Sequence, residues 1–440
     1  MPEVKVFENT HFLDSKKYDA FIRILKKELV PAMGCTEPIS LAYAAAKARD
    51  VLGHIPNKID VEVSGNIIKN VKSVVVPNTN GLKGIEAAVA AGVIAGDSSK
   101  ALEVLAFVKE EEKPLIKKYL ESCEITVKPA ESKLNFDIIL TFYKDNSYSK
   151  IRIIDDHTNI VLIEKDKKEL FKIDTKNNFY SEDTDKDLLS IKAIVDFANT
   201  VDLIDIADVI SRQIDYNSKI SEEGLTHDYG ASIGKVLLSS YGSDIKIRAK
   251  AKAAAGSDAR MNGCELPVII VSGSGNQGIT ASVPIIEYAK EINASKEILY
   301  RAIILSDLIA IYQKFGIGSL SAFCGAVCAG CASGAGIAYM LSNGKIEAIE
   351  STIINALGII SGVVCDGAKA SCAGKIAASI DAAILGYNMY LHGKRFFDGD
   401  GIVAKNADET IKNIWKIGKY GMFQTDKEIL NIMVGCSEAH

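Results

Sequence analysis

Apolar and polar positions follow two different periods along this chain. Over 14–30, which includes YDAFIRILKKELV, apolar residues recur at helical spacing and predict an amphipathic helix that Pro31 ends. A loop bounded by Gly and Pro, PAMGCTEP, leads into a strongly helical run from Ile39. From Ile59 the pattern alternates (KIDVEVSGNIIKNVKSVVVPN), which predicts strand with a turn at 64–66. TNGLKG is a Gly-rich turn ahead of an Ala-rich helix. Over 101–173 a helix at ALEVLAFVKEEEKPLIKKYL precedes strands at CEITVKP, LNFDIILTFY, SKIRIIDDH, NIVLIEKD and ELFKI. Their alternation predicts an antiparallel sheet covered on one face by helices. A polar stretch, 174–187, reads as a linker, and from Leu188 onward the pattern is helical, with candidate helices at 230–240 and 245–255. The expected fold class is α+β. A large, mostly helical domain (1–58 and 188–440) carries a smaller sheet-containing α+β domain (59–187) inserted after the N-terminal helices.

Composition narrows the function classes. The chain has 440 residues, 24% charged and 48% apolar, with a formal net charge of -5, which argues against a general nucleic-acid binder. The opening residues mix acidic and basic side chains without an apolar run, so no signal peptide is expected. The most apolar region, 317–341, is rich in Gly, Ala, Ser and Cys, which suits close helix packing better than a membrane span. Nine cysteines, an odd number, without a secretory segment predict a reducing, cytoplasmic setting.

Five of those nine cysteines fall between 324 and 372, in SAFCGAVCAGC and SGVVCDGAKASCAGK. Thiols gathered in this way read as metal or iron–sulfur ligands. Two partitions fit. Cys324, Cys328 and Cys331 have the Cys-x3-Cys-x2-Cys spacing of radical S-adenosylmethionine enzymes. Against it, the motif lies late in the chain, Gly330 precedes the last cysteine, and the flanks are helix formers without a strand ahead. The other partition joins Cys324 with Cys365 and Cys372 over one cluster. Elsewhere, Cys35 sits just before a helix N-terminus, where the dipole and free N–H groups lower a thiol pKa. Asn80-Gly81 and SGSGNQG (272–278) are turns that could offer donors to an anion, and Asp258 and Arg260 flank Gly turns. SGSGNQG lacks the Lys-Ser/Thr ending of a phosphate loop and the strand–helix–strand context of a dinucleotide site. His157 follows two Asp and reads as a solvated turn.

GCTEP, SGN, NGLKG, DARMNG, SGSGNQG, SAFCGAV and CDGAKASCAGK, in that order and over nearly the whole chain, resemble the L-cysteine desulfidase family. They are similar, more distantly, to the iron–sulfur serine dehydratase α-domain. The resemblance implies a [4Fe–4S] cluster on Cys324, Cys365 and Cys372, with one iron free for the substrate. It implies Cys35 as a catalytic residue and leaves Cys328 and Cys331 as packing residues. The reaction implied is β-elimination of L-cysteine to pyruvate, ammonia and sulfide. A serine or threonine dehydratase is the nearest alternative and a non-catalytic iron–sulfur protein a further one. Thr36, Glu37, Asn66, Asn80, Gly81, Arg260, Asn276, Gln277 and Lys369 lie in the family-like segments and are the expected substrate contacts. An internal ion pair is the structural alternative for Arg260 and Lys369; Cys436, near the C-terminus, reads as a bystander, with capping of the cluster as the alternative. The expected partner is the amino-acid substrate alone, without nucleic acid or membrane; whether the chain forms a homo-oligomer is open.

Overall fold

A computed structural model describes residues 13–132, 134–173, 185–318 and 320–434. Helix α1 (Ser15–Glu28) starts where the Asp14 carboxylate accepts from Lys17 N, and it buries Ala20, Phe21, Ile24 and Leu25. Strand β1 (Pro31–Met33) follows, then α2 (Thr36–Leu52), which is alanine-rich and buried on nearly every side. Next come β2 (Lys58–Val63), α3 (Gly65–Val71), α4 (Ile85–Ala95) and α5 (Lys113–Ser122). Five strands complete the sheet: β3 (Glu124–Pro129), β4 (Asp137–Lys144), β5 (Ser147–Ile154), β6 (Ile160–Lys165) and β7 (Lys168–Lys172).

The strand order is β3-β2-β4-β5-β6-β7. All pairs are antiparallel except β2 with β3, so the sheet is mixed rather than antiparallel throughout. The three helices between β2 and β3 form the long crossover that a parallel pair requires. Two other expectations are corrected here. The 64–66 segment is not a turn between strands; Ser64 opens α3. The long helix expected from Ala101 is broken, because Ala101 has φ 47° and closes a short 3-10 turn, and α5 begins only where Pro114 fits a first helical turn. Helix α2 lies on the sheet, where Ser149 Oγ donates to Ala48 O at 2.8 Å. It also presses on α4 so closely that a Cβ on Gly92 would stand 2.2 Å from Ala42 O. Most of the linker expected at 174–187 lies outside the described residues.

The second half is helical: α6 (Ile191–Thr200), α7 (Ala207–Thr226), α8 (Ile233–Tyr241) and α9 (Ile245–Met261). Strand β8 (Pro267–Ile269) precedes α10 (Gly275–Glu291), α11 (Lys296–Ile317) and α12 (Gly325–Leu341). Helices α13 (Ile346–Ile360), α14 (Cys372–Leu391), α15 (Ala407–Lys416) and α16 (Phe423–Val434) complete it. The small residues of α12 are its contact surface. A Cβ on Gly334 would stand 2.5 Å from Ala383 Cβ of α14, and one on Gly336 would stand 2.3 Å from Ile285 Cδ1 of α10. Among the described residues no helix is long and apolar enough to cross a membrane.

One short pairing matters most for the site. β1 pairs antiparallel with β8, Pro31 opposite Ile269 and Met33 opposite Pro267. It sets the turn before α2 beside the turn before α10, two segments more than two hundred residues apart in sequence. Gly34 completes the first turn with φ 63°, and a Cβ there would meet Pro77 Cγ at 2.3 Å.

Candidate active site

Four helices begin at the wall of one cavity of about 110 Å³. Cys35, Thr36 and Glu37 come from the start of α2; Ser274, Asn276 and Gln277 from that of α10; Cys324, Gly325 and Ala326 from that of α12; and Cys372 from that of α14. None of the four has a side-chain cap, whereas α1, α6, α9, α11 and α15 are capped by Asp14, Ser190, Asp244, Ser295 and Asn406. Uncapped first turns present N–H donors and the positive end of the helix dipole, so the cavity favours anions.

The thiols form one end. Phe323 and Val364 make an antiparallel bridge, with Cys324 N donating to Val363 O at 3.1 Å and Cys365 N to Ala322 O at 2.6 Å. Cys324, Cys365 and Cys372, all free thiols, thereby line one cavity. Cys324 donates to Cys365; this bond and the charges of Lys69 and Lys314 hold the Cys365 thiol below its ordinary range despite burial, while Cys324 is pushed up. Burial also pushes Cys372 up. Backbone N–H groups of Ala326, Gly367 and Lys369 reach the sulfurs of Cys324, Cys365 and Cys372 respectively. Cys328 and Cys331 are fully buried in α12, do not line the cavity, and are pushed up by burial, Cys328 to about 11.

This donor set fits an iron–sulfur cluster. Among the described residues no three His, Cys, Asp or Glu side chains close on a single ion. In a cube each thiolate takes a different iron, so the fitting arrangement is three thiols around a shared space, each with a backbone donor to its sulfur.

The opposite wall is polar. Cys35 Sγ donates to Glu37 Oε2 at 2.9 Å, and Asn70 Nδ2 donates to Glu37 Oε1 at 2.9 Å. Thr36 Oγ1 donates to Gly273 O at 2.8 Å. Burial pushes Glu37 up, but the His157 charge, the Cys35 thiol, backbone N–H and Arg260 outweigh it and hold the carboxyl below its usual value. Cys35 goes the other way from the expectation drawn from its helix position. Burial and the Glu37 charge push the thiol well up, against the pull of Arg260. Arg260 is fully buried in the last turn of α9, just ahead of the turn at Asn262 and Gly263. Its guanidinium is pushed down by burial, its Nε has no partner, and no described carboxylate stands within ion-pair distance. Asn70 Oδ1, Asn276 Oδ1 and Gln277 Oε1 are likewise buried without partners. Buried polar groups are normally satisfied, so this cluster of exceptions marks a place for a polar ligand.

The family model described as serine dehydratase alpha chain matches residues 99–431. The chain belongs to the serine dehydratase alpha chain family. The match includes all three cavity cysteines of the thiol end and begins after the Cys35 loop. The family is of lyase type and associated with iron–sulfur chemistry. The chain is 59% identical to a UPF0597 protein of Desulfitobacterium hafniense over 96% of this chain and 98% of that protein. It is 51% identical to a UPF0597 protein of Lachnoclostridium phytofermentans over 95% of this chain and 100% of that protein. One of Finegoldia magna is 49% identical over 94% and 99%. No solved structure matches.

Within this serine dehydratase alpha chain member, several of the segments singled out in the sequence contribute to the cavity wall, but their residues do not all arrive. Cys35, Thr36, Glu37, Arg260, Asn276, Gln277 and the three cysteines line the cavity. Asn66, Asn80, Gly81 and Lys369 do not. Asn80 and Gly81 are exposed in the turn closed by Val76 N and Leu82 O, ahead of α4 and outside the cavity. Lys369 is ion-paired with Asp366 at 2.6 Å. Cys436 lies outside the described residues. Four residues escaped sequence reading: Lys69, Asn70 and Lys314 in the wall, and His157 behind it. His157 is not solvated; it is buried edge-on to Phe136 at 4.9 Å, and its C=O accepts from Ser40 Oγ.

Proposed function

We propose that this protein is an iron–sulfur lyase that eliminates the β-substituent of L-cysteine, yielding sulfide and aminoacrylate, which becomes pyruvate and ammonia in water. The observation that carries this reading is the sharing of one cavity by Cys324, Cys365 and Cys372 with the Cys35–Glu37 pair and the unpaired Arg260. Cys324, Cys365 and Cys372 would hold a [4Fe–4S] cluster. When bound, the cluster supplies an iron without a protein thiolate, a Lewis acid for the leaving group.

The chain's own residues do the rest. Arg260 and the N–H groups at the start of α10 take the substrate carboxylate. The unpaired oxygens of Asn276, Gln277 and Asn70 accept from the α-ammonium. The Cys35–Glu37 pair holds one proton between two acceptors and can take a second: Sγ receives the α-proton as its own proton passes to Glu37 Oε2. The Cα–H electrons then form the Cα=Cβ bond while the Cβ–S bond breaks and sulfur leaves with its electron pair. The wall combines the ammonium groups of Lys69 and Lys314 with apolar surface from Leu320, Phe323, Ala326, Ala368 and Ile376, and that apolar surface suits a sulfur leaving group.

The family's description favours a second reading, L-serine with hydroxide leaving. Anaerobically prepared protein separates the two. Brown protein with iron and sulfide in equal amounts, releasing sulfide and ammonia from cysteine faster than ammonia from serine, is the expected result. The reverse preference establishes the second reading, and a colourless, active preparation overturns both.

A further inference from the structure

Two ammonium groups line the thiol end of the cavity, and the fold treats them differently. Lys69, on α3, is answered by Asp426 of α16, whose carboxylate accepts from Nζ at 2.5 Å. Lys314, in the last turn of α11, is 6% exposed, and its ammonium has no hydrogen bond or ion pair with a described residue. The groups facing it are the sulfurs of Cys328, Cys365 and Cys324, with Lys69 as a like charge. A buried cation without a counter-charge is strongly disfavoured, and removing a partner from such a charge is among the most damaging changes a fold can suffer. Neither Glu37 nor Asp426 answers Lys314, so its counter-charge has to come from the thiols of the wall and what they hold. Three thiolates on an iron–sulfur core carry net negative charge, and they lie where Lys314 faces.

We propose that Lys314 is the counter-cation of the cluster, a positioning residue whose charge retains the anionic cluster on Cys324, Cys365 and Cys372 and raises its reduction potential. This rests on the cluster reading above. It is a statement about charge and not about the shape of the side chain, which a methionine of similar length keeps.

The test compares wild type, Lys314→Met and Lys314→Arg after anaerobic reconstitution. Iron and sulfide content, the rate of iron loss to a chelator, and the midpoint potential followed by electron paramagnetic resonance are read for each. The expected result is that K314M loses iron about tenfold faster, the lower end of what supporting residues contribute to metal retention, with a more negative potential, while K314R stays close to wild type. Metal-free K314M should unfold at the same temperature as metal-free wild type or higher, because it removes a lone buried charge. Lys314→Gln serves in the same comparison if K314M does not fold. Equal iron retention and potential in K314M and wild type overturn the proposal, and so does equal loss in K314M and K314R. A wild type that takes up no cluster overturns the functional reading itself, a result the variants do not affect.

Discussion

Cys35 and Glu37 share a hydrogen bond of 2.9 Å in the first turn of α2, with the thiol as donor and the carboxylate as acceptor. Each moves the other in opposite directions: the carboxylate raises the thiol, and the thiol helps to lower the carboxylate. Replacing Glu37 with Gln removes the acceptor. Turnover should fall about a hundredfold or more, with iron content unchanged. Because burial is outweighed and the folded carboxyl sits below its ordinary value, its contribution to stability is present above the unfolded pKa of about 4.3 and lost as pH falls through the folded value. Acid unfolding curves of Glu37→Gln should therefore be flatter than those of wild type. An unchanged turnover removes the pair from the reaction.

The two groups of cysteines should separate cleanly. Cys324→Ala, Cys365→Ala and Cys372→Ala are each expected to lose the iron. Cys328→Ala and Cys331→Ala should keep it and lose about 1 kcal/mol of stability, as for removal of one buried atom from a packed core. Iron analysis beside thermal unfolding checks both halves.

Arg260 has no partner of its own to lose. Arg260→Met should raise KM by about tenfold to a hundredfold, the worth of hydrogen bonds to a charged group, and leave cluster content in place. Steady-state kinetics on cysteine read this directly; a change in kcat alone assigns Arg260 a different part.

Gly275 is the contact that lets Arg260 reach the cavity. A Cβ there would stand 2.3 Å from Arg260 Nε and 2.5 Å from Val268 Cγ2. Gly275→Ala should cost about 1–3 kcal/mol of stability and raise KM in the same direction as Arg260→Met.

Asp307 lies in the core of α11, accepts from Gln213 Nε2 at 2.9 Å, and is pushed up to about 8 by burial. A carboxyl raised on folding holds its proton in the folded state after the unfolded state has released it. Stability therefore falls as pH rises from about 4 toward about 8. Asp307→Asn should remove that slope, which chemical denaturation at several pH values would show.

The segments of the site were legible in the sequence because cysteines, glycines and amides in order along the chain carry their own signal. The strands β3 to β7 were legible from alternation. What could not be read was set by long-range contacts. The β1–β8 pair is three residues on each side, too short for any pattern. It alone decides that Thr36 meets Gly273. The helix expected at 245–255 runs on to Met261, so Arg260 stands in its last turn and is carried inward by packing. Lys69 and Lys314 look like ordinary helix-surface lysines until the fold turns both inward. Asn80-Gly81 has the composition of an anion turn and precedes α4 as expected, but it is exposed and does not line the cavity.

The convergence of four uncapped helix starts has an effect on the empty protein. Their positive ends face one another across the cavity, so a guest of negative charge is favoured there. A small oxyanion that enters should therefore raise the melting temperature of the protein before any chemistry begins.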